Sequence, residues 1–462
     1  MSFKASHVVP VDRRTAWTWH TRPGALTRLT PPFWPMTPIK QATHLANGTT
    51  VLGLPAGLKW IARHDLSGYV RGYQFTDVCV NAPLKSLANW RHTHEFFDHP
   101  DGCLIKDTVH TRLPKMALTS AFAYRQHQLI QDLSALHRFA ALRKETSENP
   151  DEPLCIALSG SHGLVGRALK AQLETLGHKV IALVRSNPEE DQRTWDPEHP
   201  AANLLEGCDA LIHLAGEPIF GRFNDSHKQA LRDSRVGPTK ELATLVAHTP
   251  GCDTMICASA VGFYGSSRGE EKLSETSEPG EGFLAQLCQD WEDACQPARD
   301  AGKRVVNVRT GVVMSGAGGM LPVLKALFST GLGGAFAGQN PWMSWISHDD
   351  LGDIYIRALL DPRIEGPVNA AAPNPVTNAD MTADLGRLLH RPTWFPIPTI
   401  GPKLLLGKEG AQELALADQR VLPTVLQEAG HTFRYPIIGS CLAHELGNES
   451  LWSPGEVATL GG

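Results

Sequence analysis

The sequence has no uninterrupted apolar run near the roughly eighteen residues of a membrane helix, so no spanning segment is expected. Its opening, Met1 to Arg14, lacks the apolar core that a secretory leader carries. A basic excess is also missing: Lys and Arg number 43 against 48 for Asp and Glu, a net charge of −5. A dedicated nucleic-acid binder needs the opposite balance. There is no Cys-x-x-Cys, and the nine cysteines are odd in number and scattered, so neither a zinc ribbon nor a dithiol redox site is indicated. Without a leader, reduced thiols in a cytoplasm are the expectation. What is present is a globular composition, 42% hydrophobic and 20% charged, spread over 462 residues, too many for one ordinary domain.

The stretch Ala141–Pro153 is polar and Pro-terminated, and reads as an interdomain linker. Half of the 20 histidines and five of the 11 tryptophans precede it. In that part Trp90, His92, His94 and Phe96 alternate with Arg91, Thr93, Glu95 and Phe97, the period of a strand with one face inward. A helical stretch, Ala121–Arg143, follows. Beyond the linker, short apolar strands at Leu154–Ser159, Lys179–Val184, Cys208–Leu214, Met255–Ser259 and Arg304–Arg309 alternate with helices, the first at Leu164–Leu176. Strands apolar on both faces predict a parallel sheet covered on both sides. From about Asn378 the pattern is of helices separated by Pro and Gly, ending in a polar tail.

Gly160, Ser161, His162, Gly163, Leu164, Val165 and Gly166 sit between the first of these strands and the helix after it. A glycine turn in that place lets backbone approach a pyrophosphate and aims a helix N-terminus at it. At the end of the second strand an NAD enzyme usually carries an acid for the ribose hydroxyl. Here Arg185 and Ser186 follow Val184, and they suit a 2′-phosphate, so NADP is favoured and NAD stays open. The plainer reading of Arg185 is a solvated residue at a strand end.

With Asp209–Gly216 and Ser259–Gly265, these residues resemble the extended short-chain dehydrogenase/reductase superfamily. More closely, the chain is similar to an atypical branch known as nucleoside-diphosphate-sugar epimerases, also called cell-division-inhibitor-like. The branch's pattern recurs at Ser234–Arg235, Arg309–Val313, Gly318–Gly319, Trp342–Ile346, Asn369–Pro373, Arg391–Pro392 and Gln419–Pro423. The first 145 residues are similar to a START/polyketide-cyclase-like module, on Trp17, Leu29–Pro32, Phe75–Asp77, Trp90–His94, Tyr124 and Arg125. The implied fold is α/β, a Rossmann-type doubly wound parallel sheet preceded by an α+β helix-grip (START-like) domain. The implied domains are 1–145 for ligand binding, 153–377 for NAD(P), 378–440 as a small helical domain, and 441–462 as a polar tail.

The resemblance implies cofactor contacts from Gly160, Ser161, Gly163, Leu164, Val165, Gly166, Arg185, Ser186, Leu214, Ala215, Gly216, Ser259 and Arg309. It places substrate near Glu217, Arg232, Arg235, Gly318 and Gly319. One departure is plain. The superfamily's Tyr-x-x-x-Lys pair, whose Tyr is the acid and base, has no counterpart on the helix Gly282–Glu292, where Phe283 and Leu287 hold the spacing. Ser259 and Tyr264 are the remaining catalytic candidates, Tyr264 being either a replacement acid or an aromatic packed under the cofactor. Glu217 is a candidate base or a loop cap, and Arg232 and Arg235 a phosphate clamp or a surface charge run. His348–Asp350 reads as a capped helix start, and Cys288 and Cys295 as core. His92 and His94 read as cavity-lining, and no metal site is assigned. Expected partners are a small-molecule substrate or a hydrophobic ligand held by the N-terminal module, with no nucleic acid and no membrane. Superfamily members often dimerise through the helix near Phe283–Arg299, which implies a homodimer. The function that follows is an NAD(P)-binding epimerase or oxidoreductase. The competing reading is a cofactor-binding sensor or scaffold without catalysis.

Overall fold

The computed structural model describes residues 2–398 and 400–452. The chain gathers into two compact units: residues 2–142, 171–177 and the described residues from 443 form one, and residues 143–170 and 178–442 the other.

The first unit is built on an antiparallel sheet of β1 (Ser2–Val9), β2 (Thr37–Lys40), β3 (Thr49–Gly53), β4 (Lys59–His64), β5 (Gln74–Cys79), β6 (Arg91–His99) and β7 (Gly102–His110), in the spatial order β1-β7-β6-β5-β4-β3-β2. Burial alternates along β6 and β7, so Phe96, Ile105 and Val109 face inward while Phe97 and Lys106 face out. The helix Lys115–Thr146 contains neither Gly nor Pro and so starts earlier and ends later than its apolar pattern suggests. It packs Leu129, Ile130 and Leu133 against Trp17, Phe96 and Ile105, and Leu118 and Phe122 against Phe3 and Val109. Arg28 grips Asp132 of this helix with two buried hydrogen bonds of 2.9 and 2.7 Å. Between sheet and helix lies a cavity of about 320 Å³, walled by apolar side chains such as Leu52, Trp60 and Trp90, with His92 and His94 on its lining.

The stretch read as a linker contains the division between the units at 142/143; it is helical to Thr146, and Arg143 then donates to the carbonyls of Asn149 and Glu152 at 3.0 and 2.7 Å. One expectation changes. The tail from 441 is not polar surface at its start. The helix Ile438–Leu446 buries Cys441, Leu442, His444 and Glu445, and the Nε2 side of His444 meets Gln128 Oε1 at 3.0 Å. Residues 453–462 lie outside the described residues.

The second unit carries a parallel sheet of β8 (Cys155–Ser159), β9 (Lys179–Val184), β10 (Gln192–Thr194), β11 (Ala210–His213) and β12 (Thr254–Ala260). β13 (Ser267–Leu273) stands apart and pairs with the strand Asp418–Val421; β14 (Arg304–Thr310) and the strand Gly366–Ala370 complete the main sheet. The order is β10-β9-β8-β11-β12-β14 and then Gly366–Ala370, the Rossmann-type arrangement expected. Ile156, Ala157, Leu158, Leu211 and Ile212 are fully buried, as strands covered on both faces must be. The winding direction reverses between β8 and β11, so a crevice opens at the carboxyl ends of those two strands. The helix His348–Leu360 starts where expected, but its cap is Ser347, whose hydroxyl accepts from the Asp350 N–H. The Asp350 carboxylate instead accepts from the N–H groups of Arg434 and Tyr435. All nine cysteines are free, and no helix among the described residues is long and apolar enough to cross a membrane.

The buried His213 gives this unit an acid sensitivity. Burial holds its imidazole down at about 4, against 6.5 for the free ring. The unfolded chain therefore takes up the proton first, so the contribution is full above pH 6.5 and drains away as pH falls towards 4. His213→Asn should flatten the fall in unfolding free energy over that window, read from urea denaturation, by about 3 kcal/mol at its acid end. An unchanged slope would reject this assignment.

Candidate functional site

The crevice is framed by three backbone segments. Gly160 ends β8 with φ +74°, and a Cβ there would stand 2.8 Å from the Leu214 carbonyl carbon. A Cβ on Gly166 would stand 2.1 Å from the carbonyl oxygen of Gly160. Only glycine permits this closeness, and the result is a tight turn presenting the N-terminus of the helix Leu164–Leu176 to the crevice. Ser161 is buried and its Oγ finds no partner among the described residues. An orphaned hydroxyl in a glycine turn at a helix N-terminus fits an anion that completes its hydrogen bonding.

The second segment, Leu214–Glu217 after β11, is held from below and from the side. Ser159 Oγ accepts from the N–H groups of Leu214 and Ala215 at 3.1 and 3.3 Å, and is hydrogen-bonded with His213 Nδ1 at 2.6 Å. Arg235 donates to the carbonyl of Glu217 at 2.8 Å and to that of Leu231 at 3.1 Å, and lies over the Trp291 ring. Arg235 is therefore a buried strut for this loop, not the exposed phosphate clamp expected. Arg232 pairs with Asp290 on the surface, so that clamp is not assembled. Glu217 keeps an exposed carboxylate at the crevice mouth while its N–H donates to Ser234 Oγ at 2.9 Å. The third segment brings Gly318 and Gly319 against Leu164; a Cβ on Gly318 would lie 3.3 Å from that side chain. Arg185 and Ser186 stand exposed just past β9, next to β8 in the sheet, and no acid lies at that strand end.

Ser259, Tyr264 and Arg309 are brought together, but around each other. The guanidinium of Arg309 meets Glu292 side-on, Nε to Oε1 at 2.9 Å and Nη2 to Oε2 at 2.8 Å. Its Nη1 donates to Tyr264 Oη at 3.0 Å and to the Glu275 carbonyl at 3.2 Å, and its face covers the Phe263 ring. Ser259 Oγ donates to Glu292 Oε1 at 2.6 Å, and Tyr264 Oη donates to Asn369 Oδ1 at 2.7 Å. Tyr264 is fully buried, and burial pushes its phenol above the usual value. These three groups are saturated inside the protein, which removes the physical basis for reading Arg309 as a cofactor contact or Tyr264 as an accessible acid.

The helix Phe283–Asp293 carries no Tyr and no Lys, as its sequence indicates. Its N-terminal N–H groups are taken by Glu413, whose carboxylate accepts from Phe283 and Leu284 at 2.9 and 2.7 Å. Sequence reading missed Glu292 and Glu413. Glu292 carried a signal: with Leu284, Cys288 and Trp291 it falls on one apolar helical face, where a lone carboxylate must find a partner.

Comparison with known proteins agrees with this fold. Residues 156–371 match the NAD dependent epimerase/dehydratase family, and residues 397–445 match a domain of unknown function. An epimerase family protein of Mycobacterium bovis is 42% identical over 293 residues, covering 63% of this chain and 96% of that protein. A crystal structure of a nucleoside-diphosphate sugar epimerase from Corynebacterium glutamicum is 56% identical, with a TM-score of 0.86 over 97% of this chain and 91% of that one. The human epimerase family protein SDR39U1, solved with NADPH, is 29% identical with a TM-score of 0.59, covering 64% of this chain and all of that one (100%).

The buried network makes two separable demands on stability. Tyr264→Phe leaves Asn369 Oδ1 and one Arg309 N–H short of a partner and should cost about 1–3 kcal/mol. Glu292→Ala strands a buried guanidinium and should cost more, about 3–5 kcal/mol. Denaturant midpoints of both variants test the order; a Tyr264→Phe protein as stable as the parent would show that the hydroxyl is not structural.

Proposed function

The chain belongs to the NAD dependent epimerase/dehydratase family, and from that premise we propose that it binds NADP(H) in the crevice and transfers hydride to or from a small organic substrate. The observation that carries this reading is the glycine cradle: a turn only glycine can make, with the buried, unpartnered Ser161 hydroxyl beside a helix N-terminus. The dinucleotide supplies reversible hydride transfer when bound. The N–H groups at the start of the helix Leu164–Leu176 and Ser161 Oγ would hold its pyrophosphate. Arg185 and Ser186 would hold a 2′-phosphate by charge-assisted hydrogen bonds. Leu214, Ala215 and Gly216 form the wall that Ser159 and Arg235 keep fixed. The NADPH in the human relative supports the same preference.

Proton transfer takes a different course from the superfamily's usual one. Oxidation of a substrate hydroxyl asks for a base beside it, and Ser259 and Tyr264 are committed to the buried network. Glu217 is then the side chain at the mouth able to exchange a proton, with solvent behind it. Reduction of an activated carbonyl or conjugated double bond, which needs only a proton from the mouth, fits this arrangement better than alcohol oxidation. Incubation with NADPH and a panel of sugar nucleotides, aldehydes and quinones should show cofactor consumption with at least one electrophile class. Intact NADPH binding with no consumption across the panel would favour the second reading, a cofactor-binding scaffold, which the locked Ser259 and Tyr264 also suit. The N-terminal unit is read as a START/polyketide-cyclase-like binding module, supported by its antiparallel sheet, long helix and apolar cavity.

Two variants test the cofactor site. Arg185→Ala should weaken NADPH at least tenfold, about 1.4 kcal/mol, and barely change NADH; equal affinities in the parent protein would refute the preference. Gly166→Ala should abolish binding of both dinucleotides, because its Cβ has no room beside the Gly160 carbonyl, and retained tight binding would remove the cradle from the argument.

A further inference from the structure

The cavity in the N-terminal unit has a polar patch with unusual order. On β5, β6 and β7, Asp77 lies directly opposite His92 in the register, and His94 directly opposite Asp107. Residues two apart share a face, so these four side chains converge on the cavity side of the sheet. Asp107 Oδ1 accepts from both rings, from His92 Nε2 at 2.8 Å and His94 Nδ1 at 2.9 Å. Those two bonds fix the tautomers: the protons sit on the nitrogens facing Asp107, and the lone pairs of His92 Nδ1 and His94 Nε2 point the other way. What they point at is Asp77 Oδ2, at 3.5 and 3.9 Å. Asp77 is itself held, since its Oδ1 accepts from the Trp90 indole at 2.9 Å.

Two lone pairs and a carboxylate oxygen therefore face one another at separations beyond the usual 2.7–3.2 Å of a hydrogen bond. Left alone, that arrangement repels. A cation between the three atoms relieves that repulsion, and all three lie within 4.8 Å of one another. Bonds of about 2.1 Å place neighbouring ligands about 3.0–3.4 Å apart, so only a small closing movement is needed. Charge favours the same remedy. Asp77 and Asp107 bring two negative charges to the site, and Arg125, on the cavity lining, brings one positive.

We infer that Asp77, His92 and His94 form a site for one divalent transition-metal ion, with Asp107 and Trp90 orienting the ligands and the open coordination positions facing the apolar cavity. Two imidazoles and one carboxylate suit Zn(II), Fe(II), Co(II) or Ni(II) better than Mg(II) or Ca(II). A carboxylate and an indole holding the far side of each ligand is the outer arrangement that metal-binding histidines and carboxylates normally carry. The cavity then takes a mainly apolar molecule by a metal-binding head, with Arg125 adding attraction for a negative charge.

The full-length chain, stripped with chelator and titrated with Co(II), tests this directly. The expected result is one equivalent bound, with visible d–d bands and no thiolate-to-cobalt charge transfer. Asp77→Asn and His94→Gln should each abolish those bands, and Asp107→Asn should weaken binding by about 10–100-fold. Far-ultraviolet circular dichroism of each variant should match the parent. Benzohydroxamate, a ring with a metal-binding head, should shift the bands in the parent protein. Absence of stoichiometric Co(II) uptake, charge-transfer bands placing the ion on cysteines, or undiminished binding in a folded Asp77→Asn protein would each overturn the site. Bands indifferent to benzohydroxamate would overturn the open face towards the cavity.

Discussion

A buried ion pair ties together the strands and helix that meet in the middle of the second unit. Glu292 comes from a helix and Arg309 from β14, and both are nearly excluded from water. Taking two charges out of water is costly, and their attraction offsets the cost only when the remaining donors and acceptors are also satisfied. Here they are: Ser259 fills Glu292, Tyr264 and the Glu275 carbonyl fill Arg309, and Asn369 fills Tyr264. A single chain of hydrogen bonds thus ties β12, β14, the strand Gly366–Ala370 and the helix Phe283–Asp293 together beneath the crevice. In this chain these side chains are engaged with one another.

The crevice above it is shaped by backbone. Its walls are made by the glycine turn, by a loop whose N–H groups rest on the Ser159 hydroxyl, and by the Gly318–Gly319 approach to Leu164. Side chains enter at the rim, through Arg185, Ser186 and Glu217. A crevice made this way offers backbone shape and the dipole of a helix N-terminus, with few side chains at its mouth.

Local pattern was legible and long-range partnership was not. The helix Leu164–Leu176 and the strand Lys179–Val184 have the bounds that apolar periodicity assigns them, because their burial is set by neighbours of the same kind. The helix Lys115–Thr146 was longer than its pattern, since polar positions without Gly or Pro continue a helix that tertiary packing already holds. Arg235 and Arg309 carry the residue type that a phosphate site needs, and only the fold shows that each guanidinium is turned inward. The same limit applies to His92 and His94. Spacing put them on one face of a strand, while Asp77 and Asp107 are supplied by the neighbouring strands through a register that a linear reading does not reveal.

Glu413 has a consequence for where this protein can be divided. It lies within the segment that matches a domain of unknown function, yet its carboxylate closes the N-terminus of a helix inside the segment that matches the epimerase family. Gln419 donates to the Val261 and Gly265 carbonyls, Asn369 donates to the Leu422 carbonyl, and Asp418–Val421 is the strand partner of β13. Cutting between the two matched segments would open all these bonds at once and leave helix and strand ends bare. The two matched segments lie in one compact unit and share these bonds, so the boundary between them in sequence is not a boundary in the folded chain.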